Sequence, residues 1–142
     1  MTVGDIIGRL EALAPPSLAE SYDNVGLLTG DRTRPCRGVL LCLDVTEAVL
    51  EEAVAKGCDL IVSHHPLIFG NLRRVTEDDP VGRLLARSIR SGLSLYAIHT
   101  NLDNVIGGIN GWLADLFGLV DRTVLQPLPG RLLKLHTFVP DS

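Results

Sequence analysis

Aromatic residues are scarce in this chain: one Trp, two Tyr and three Phe among 142 residues. Its core must therefore be built from Leu, Val, Ile and Ala. Cysteine is almost as sparse. Cys36, Cys42 and Cys58 are odd in number, form no C-x-x-C pair, and two of them sit inside apolar runs. They read as small buried thiols in a reducing compartment. No basic run appears and the net charge is only −4, which argues against direct nucleic-acid binding. No apolar signal stretch follows Met1, and no run reaches the roughly 18 apolar residues of a membrane span. The expectation is a soluble cytoplasmic protein with no membrane partner. The patterns G-x-x-x-x-G-K-[ST], G-x-S-x-G and G-x-G-x-x-G are also missing. Readings as a P-loop NTPase or a nucleotide-dependent dehydrogenase therefore lack support.

What is present suits one well-filled domain. Hydrophobic residues make up 46% of the chain and mean hydropathy is +0.25. A chain of this length buries roughly two-thirds of the surface its unfolded form exposes. Residues 2–14 read as an amphipathic helix: Thr2 caps it, Asp5 favours its positive end, and Ile6, Ile7, Leu10 and Leu13 share a face until Pro15-Pro16 ends it. Residues 21–30 read as a loop and then an edge strand. Asp23-Asn24 within it has the composition of an Asx-type turn.

Two similar units follow. Val39–Leu43 is a continuous apolar run, the pattern of a strand covered on both faces. Thr46 then caps a helix from Glu47 to Lys56, Gly57 stops it, and Leu60–Ser63 is the next strand. This is a β-α-β unit, so its strands should be parallel. The second unit runs from a helix over 81–90, with Leu84, Leu85 and Ile89 inward and Arg83, Arg87 and Arg90 outward, to a strand over 93–98. Gly107-Gly108 opens a further helix whose apolar positions are Trp112, Leu113, Leu116 and Phe117. Residues 132–139 read as one more strand. The fold class is α/β, a mostly parallel sheet flanked by helices.

Ligands bind just past the carboxyl ends of strands in open parallel sheets. Here three such ends carry Asp44, His64-His65 and His99-x-x-x-Asp103. Three of the four histidines of the chain lie there, and the fourth is His136. Imidazole suits Zn, Mn, Fe, Co or Ni, and a carboxylate adds charge that hard cations favour. Adjacent side chains in extended backbone point to opposite sides. Either the strand ends at Ser63 and the backbone turns, or His64 and His65 serve different ions with Asp103 free to bridge them. Simpler readings stand beside these. His64 and His65 can each hydrogen-bond a neighbouring backbone, Asp44 can satisfy amides at a helix start, and Asp103 suits a turn or cap. His99 reads better as a structural or orienting histidine than as a ligand. Gly107-Gly108 can offer amides to an anion, or simply make a loop-to-helix turn. Arg73-Arg74 can meet a phosphate, or simply be solvated.

At these residues the chain resembles the NIF-three-like family, also described as GTP cyclohydrolase I type-two homologs or dinuclear-metal-centre hexamers. The matching segments are Tyr22-Asp-Asn-Val-Gly-Leu27, Leu43-Asp-Val-Thr46, Ser63-His-His-Pro-Leu67, His99-Thr-Asn-Leu-Asp103 and Gly107-Gly-Ile-Asn-Gly-Trp-Leu113. They occur in family order across nearly residues 1–120. Tyr22 stands where the family often has Trp. The resemblance implies a homo-oligomer, a toroidal hexamer, with a pair of divalent ions per subunit. His64 and His65 would be ligands of the two ions and Asp103 a further ligand. The family completes the site with a His and a Glu from a C-terminal segment, which this sequence does not contain. Longer members carry an inserted ferredoxin-like domain, and Leu133–Pro140 resembles its first strand. Residues 1–125 are thus expected to form the metal-binding α/β domain. Residues 126–142 are expected to be a linker and the first strand of a following segment, as in an N-terminal fragment. The implied function is a metal-dependent hydrolase acting on an unknown small molecule of nucleotide or phosphate-ester type. The alternative is a non-catalytic oligomeric metal-binding scaffold or regulator that binds partner proteins.

Overall fold

A computed structural model describes residues 1–127. The expected strand over 132–139 and His136 lie outside the described residues. Helix α1 (Val3–Leu13) opens the chain, and its N-terminus is a complete capping box: the Thr2 hydroxyl accepts from the Asp5 amide and the Asp5 carboxylate accepts from the Thr2 amide. A short 3-10 turn, Pro16–Leu18, leads to strand β1 (Gly26–Thr29). The two expected units then appear in order: β2 (Val39–Cys42), α2 (Glu47–Ala55), β3 (Leu60–Ser63), α3 (Pro80–Arg90) and β4 (Ser94–Ala97). Thr46 caps α2 through the Val49 amide, and Asp79 caps α3 through the Gly82 amide. Gly57 and Gly92, at φ +65° and +68°, take the left-handed conformation that ends each helix cheaply only with glycine.

The four strands form one sheet in the order β1-β4-β3-β2. Strands β2, β3 and β4 run parallel, and β1 pairs antiparallel to β4 as an edge strand. Side-chain alternation divides the core into two layers. On one face Leu60, Val62, Tyr96 and Ile98 pack with Val3, Ile7 and Ala14 around α1. On the other, Ile61, Leu95 and Leu93 pack with Leu50, Ala53 and Leu85 from α2 and α3. Every residue of β3 and β4 is buried.

Three expectations need correction. Strand β2 is covered on one face only. Leu40 and Cys42 pack toward α2 and α3, but Leu41 is 73% exposed, because the residues packed around α1 on that face come from β3 and β4 and β2 is the far edge. Ile89, expected inward, points outward from α3, beside the outward Arg87, which pairs with Glu47 and Glu51 of α2. The last helix, α5 (Ile109–Leu116), forms where expected, but Trp112, Leu113, Leu116 and the following Phe117 are all exposed. Between β4 and α5 lies a short helix, α4 (Thr100–Asn104), that the apolar pattern does not signal. Among the described residues no helix is long and apolar enough to cross a membrane.

Candidate metal centre

The parallel register sets Cys42, Ser63 and Ala97 level with one another. The residues just past them therefore emerge side by side. The ladder continues one step further: His64 N–H donates to Cys42 O, His65 N–H to Leu43 O and Ile98 N–H to Ser63 O. The chain then bends. The Ser63 hydroxyl donates back to the His65 carbonyl at 2.8 Å, which ends the regular strand and removes the alternation that would have sent the two imidazoles apart. Their ring centroids are 5.1 Å apart. The regular strand thus ends at Ser63 and the backbone turns, leaving both rings at the same edge of the sheet.

His99 completes a triangle, with its ring centroid 5.0 Å from that of His64 and 5.6 Å from that of His65. One nitrogen from each of the three rings lies within 4.8 Å of the other two, close enough for this cluster to hold a metal ion. Each ring also has its Nδ1 engaged by an oxygen. His64 Nδ1 meets the Ile98 carbonyl at 3.0 Å, His65 Nδ1 meets Asp44 Oδ1 at 2.7 Å, and His99 Nδ1 meets Asp23 Oδ1 at 3.0 Å. A carbonyl or carboxylate oxygen only accepts, so Nδ1 is the protonated nitrogen in all three. In the neutral ring the lone pair then sits on Nε2. Metal-ligating histidines are oriented in this way by a carboxylate or carbonyl on the far nitrogen.

The carboxylates hold different stations. Asp103 lies on α4, with Oδ2 4.0 Å from His64 Nε2, so it borders the cluster. Asp44 is spent on His65 rather than on the amides of α2, whose cap is Thr46. Asp23 is wholly buried at its side chain. It accepts from His99, from the Asn24 amide, from the Thr100 amide and from the Thr100 hydroxyl. Burial alone would raise the Asp23 carboxyl, but the hydrogen bonds from His99, Thr100 and Asn24 together outweigh it and hold it below the usual 3.8. Asp23 does make the expected turn through Asn24, yet its larger role is to orient His99 and to anchor α4. Gly107-Gly108 behaves as a turn: the Gly108 amide donates to the Val105 carbonyl. Arg73 and Arg74 stand exposed on the loop before α3.

Residue types at the three strand ends point to this region, but they give His99 and Asp23 too little weight. The signal for His99 is present in its position, one residue beyond the level reached by His64. No sequence signal shows that a turn residue 76 positions before His99 meets it. An open cavity of about 580 Å³, floored by Leu41, Leu43, Val62, Ile98 and Leu102, adjoins His64 and His65. A second, of about 690 Å³, lies between α4, α5 and residues 122–126 and touches this region only through Asp103.

Comparison with known proteins places this chain in a family. The family model described as Duf34/NIF3 (NGG1p interacting factor 3) matches residues 1–139. The chain is 43% identical over 138 residues to the GTP cyclohydrolase 1 type 2 homolog of Halalkalibacterium halodurans, covering 96% of this chain and 37% of that protein. It is 40% identical over 129 residues to the homolog of the same name from Clostridium perfringens, covering 91% of this chain and 49% of that one. Among solved structures, a Bacillus cereus protein related to NIF3 superposes with a TM-score of 0.84 at 39% identity, over 90% of this chain and 35% of that chain. Reduced HcgD from Methanocaldococcus jannaschii gives a TM-score of 0.79 at 33% identity, over 85% of this chain and 48% of that chain. The chain thus spans 37% and 49% of the lengths of these two curated relatives. By the match over residues 1–139, it belongs to the Duf34/NIF3 family.

Proposed function

We propose that this chain carries the histidine side of a divalent-metal centre, with His64, His65 and Asp103 as ligands and His99 joining them. The observation that carries the reading is the common orientation of the three imidazoles, each donating from Nδ1 and each left with Nε2 free. Nitrogen donors with one nearby carboxylate suit Zn, Mn, Fe, Co or Ni. The proposal extends to two ions per full-length subunit, with His64 and His65 on different ions and Asp103 shared, and to a homo-oligomer, a hexamer, as the working assembly. The test is elemental analysis of wild type beside His64→Ala, His65→Ala, His99→Ala and Asp103→Ala. Metal in wild type that falls in each variant is the expected result, and its stoichiometry separates one ion from two. Wild type that takes up no Zn, Mn or Fe, or variants that keep wild-type metal, overturn the reading.

The activity proposed for the whole protein is metal-dependent hydrolysis of a nucleotide or phosphate-ester type small molecule, in line with the GTP cyclohydrolase name its relatives bear. A bound divalent ion supplies Lewis acidity toward a phosphoryl or carbonyl oxygen. The chain's own residues do the rest. Asp44 and Asp23 fix two imidazole tautomers, and Leu41, Val62 and Ile98 offer an apolar wall to a ligand beside His64 and His65. Full-length protein loaded with metal should release product from such substrates. Absence of turnover across nucleotides and phosphate esters, with metal bound, removes the hydrolase reading.

One observation favours a second reading, a non-catalytic metal-binding scaffold or regulator. Trp112, Leu116 and Phe117 leave an apolar strip exposed along and just past α5, and the family's name speaks of an interacting factor. Metal without turnover, together with a specific protein complex, would favour it.

A further inference from the structure

Two of the six aromatic side chains stand exposed beside the histidine cluster. Tyr22 is 65% exposed and Phe69 is 54% exposed. Their ring centroids are 6.5 Å apart, and Phe69 meets His99 edge-on at 6.3 Å. The pair comes from segments far apart in sequence that are fastened together. Asn24 Nδ2 donates to the Ile68 carbonyl at 2.7 Å, which joins the Tyr22 turn to the Phe69 loop. Asp23, next to Tyr22, is held by four hydrogen bonds. Single exposed apolar residues are ordinary. Here the two rings stand together on fastened backbone, with Phe69 set edge-on to an imidazole of the candidate metal centre, in a chain otherwise poor in aromatics.

We propose that Tyr22 and Phe69 form a stacking subsite for a planar heteroaromatic ring, of nucleobase type, on the ligand that the histidine cluster serves. Tyr and Phe rings bind such rings by offset or edge-to-face contact with little loss of side-chain freedom. The subsite lies on the His99 side of the cluster, so the rest of the ligand would reach His64, His65 and Asp103. The inference rests on the metal-centre reading for its function and narrows the ligand to one that bears a base. The ring contact itself needs no metal.

The experiment compares guanosine 5′-monophosphate with ribose 5-phosphate by titration calorimetry. It uses the chain with EDTA and, separately, the chain with Mn. The expected result is that the base-bearing ligand binds roughly tenfold tighter, as for one base stacked on an aromatic side chain. That difference should vanish in Tyr22→Ala and Phe69→Ala, fall in Phe69→Leu and return in Phe69→Tyr. Circular dichroism and solution mass confirm that the variants fold and assemble as wild type does. Equal binding of the two ligands, no binding of the nucleotide, or full retention of the difference in both alanine variants overturns the subsite. So does a change of oligomeric state in these variants, which would assign the rings to an interface. If the base-dependent difference holds in EDTA while elemental analysis finds no metal, the subsite stands and the metal-centre reading falls. If metal binds but the base confers no preference, the metal centre stands and the subsite falls.

Discussion

Replacing Asp23 with Ala removes one carboxylate and strands four donors. They are the Asn24 amide, the Thr100 amide, the Thr100 hydroxyl and His99 Nδ1–H. The Asp23 side chain has no exposed surface, and His99 keeps 19%, so water can reach the imidazole more readily than the buried groups. His99 can also shift its proton to Nε2. The imidazole therefore contributes little to the cost, and the two amides and the hydroxyl contribute most. At about 1 kcal/mol for each buried donor left unsatisfied, the loss is about 3 kcal/mol. For a chain of this size that corresponds to a fall in Tm of roughly 10 °C. Urea titration followed by circular dichroism measures it, with a double-mutant cycle against His99→Ala. The cycle should show positive coupling, because the two residues share a contact. A loss below about 1 kcal/mol, which is the worth of one ordinary hydrogen bond, would refute the role of Asp23 as the buried anchor of α4 and His99.

Gly30→Ala should destabilise by about 2 kcal/mol or more, measured by thermal unfolding. Its backbone sits at φ +121° and an added Cβ would lie 2.3 Å from the Ser94 hydroxyl. Leu50→Ala, at a wholly buried site, should cost about 3 kcal/mol, while Leu41→Ala, 73% exposed, should change stability of this chain by less than about 1 kcal/mol. Chemical denaturation of both variants in parallel decides it. The Asp59 carboxyl is held below the usual 3.8 by the Arg37 guanidinium and the Arg37 amide. A depressed native value means the contribution is present above pH 3.8 and lost as pH falls through the native value. Asp59→Asn should therefore lose stability at neutral pH and flatten the acid limb of the stability profile. An unchanged acid limb would show that Asp59 contributes nothing to acid stability.

Local structure is largely legible because its causes are local. The Thr2 cap, the Thr46 cap and Gly57 as a helix stop each depend on neighbours within four residues, and each forms as expected. The apolar runs at 39–43, 60–63 and 93–98 likewise yield three parallel strands. The sequence also points to the candidate site, since parallel strands in register deliver the residues after them to one edge of the sheet. Coverage and convergence lie beyond it. Whether Leu41 is buried depends on which strand is the edge and where α1 lies across the sheet, and a run of apolar letters does not encode that. Whether His64 and His65 part or converge depends on the Ser63 hydroxyl turning the chain back onto the His65 carbonyl. The partnership of Asp23 with His99 spans 76 positions and exists only because β1 pairs with β4. Residue identity determined which groups could hold a cation. The tertiary structure alone decided which nitrogens face one another, because ring orientation is set by hydrogen bonds between segments the chain order keeps apart.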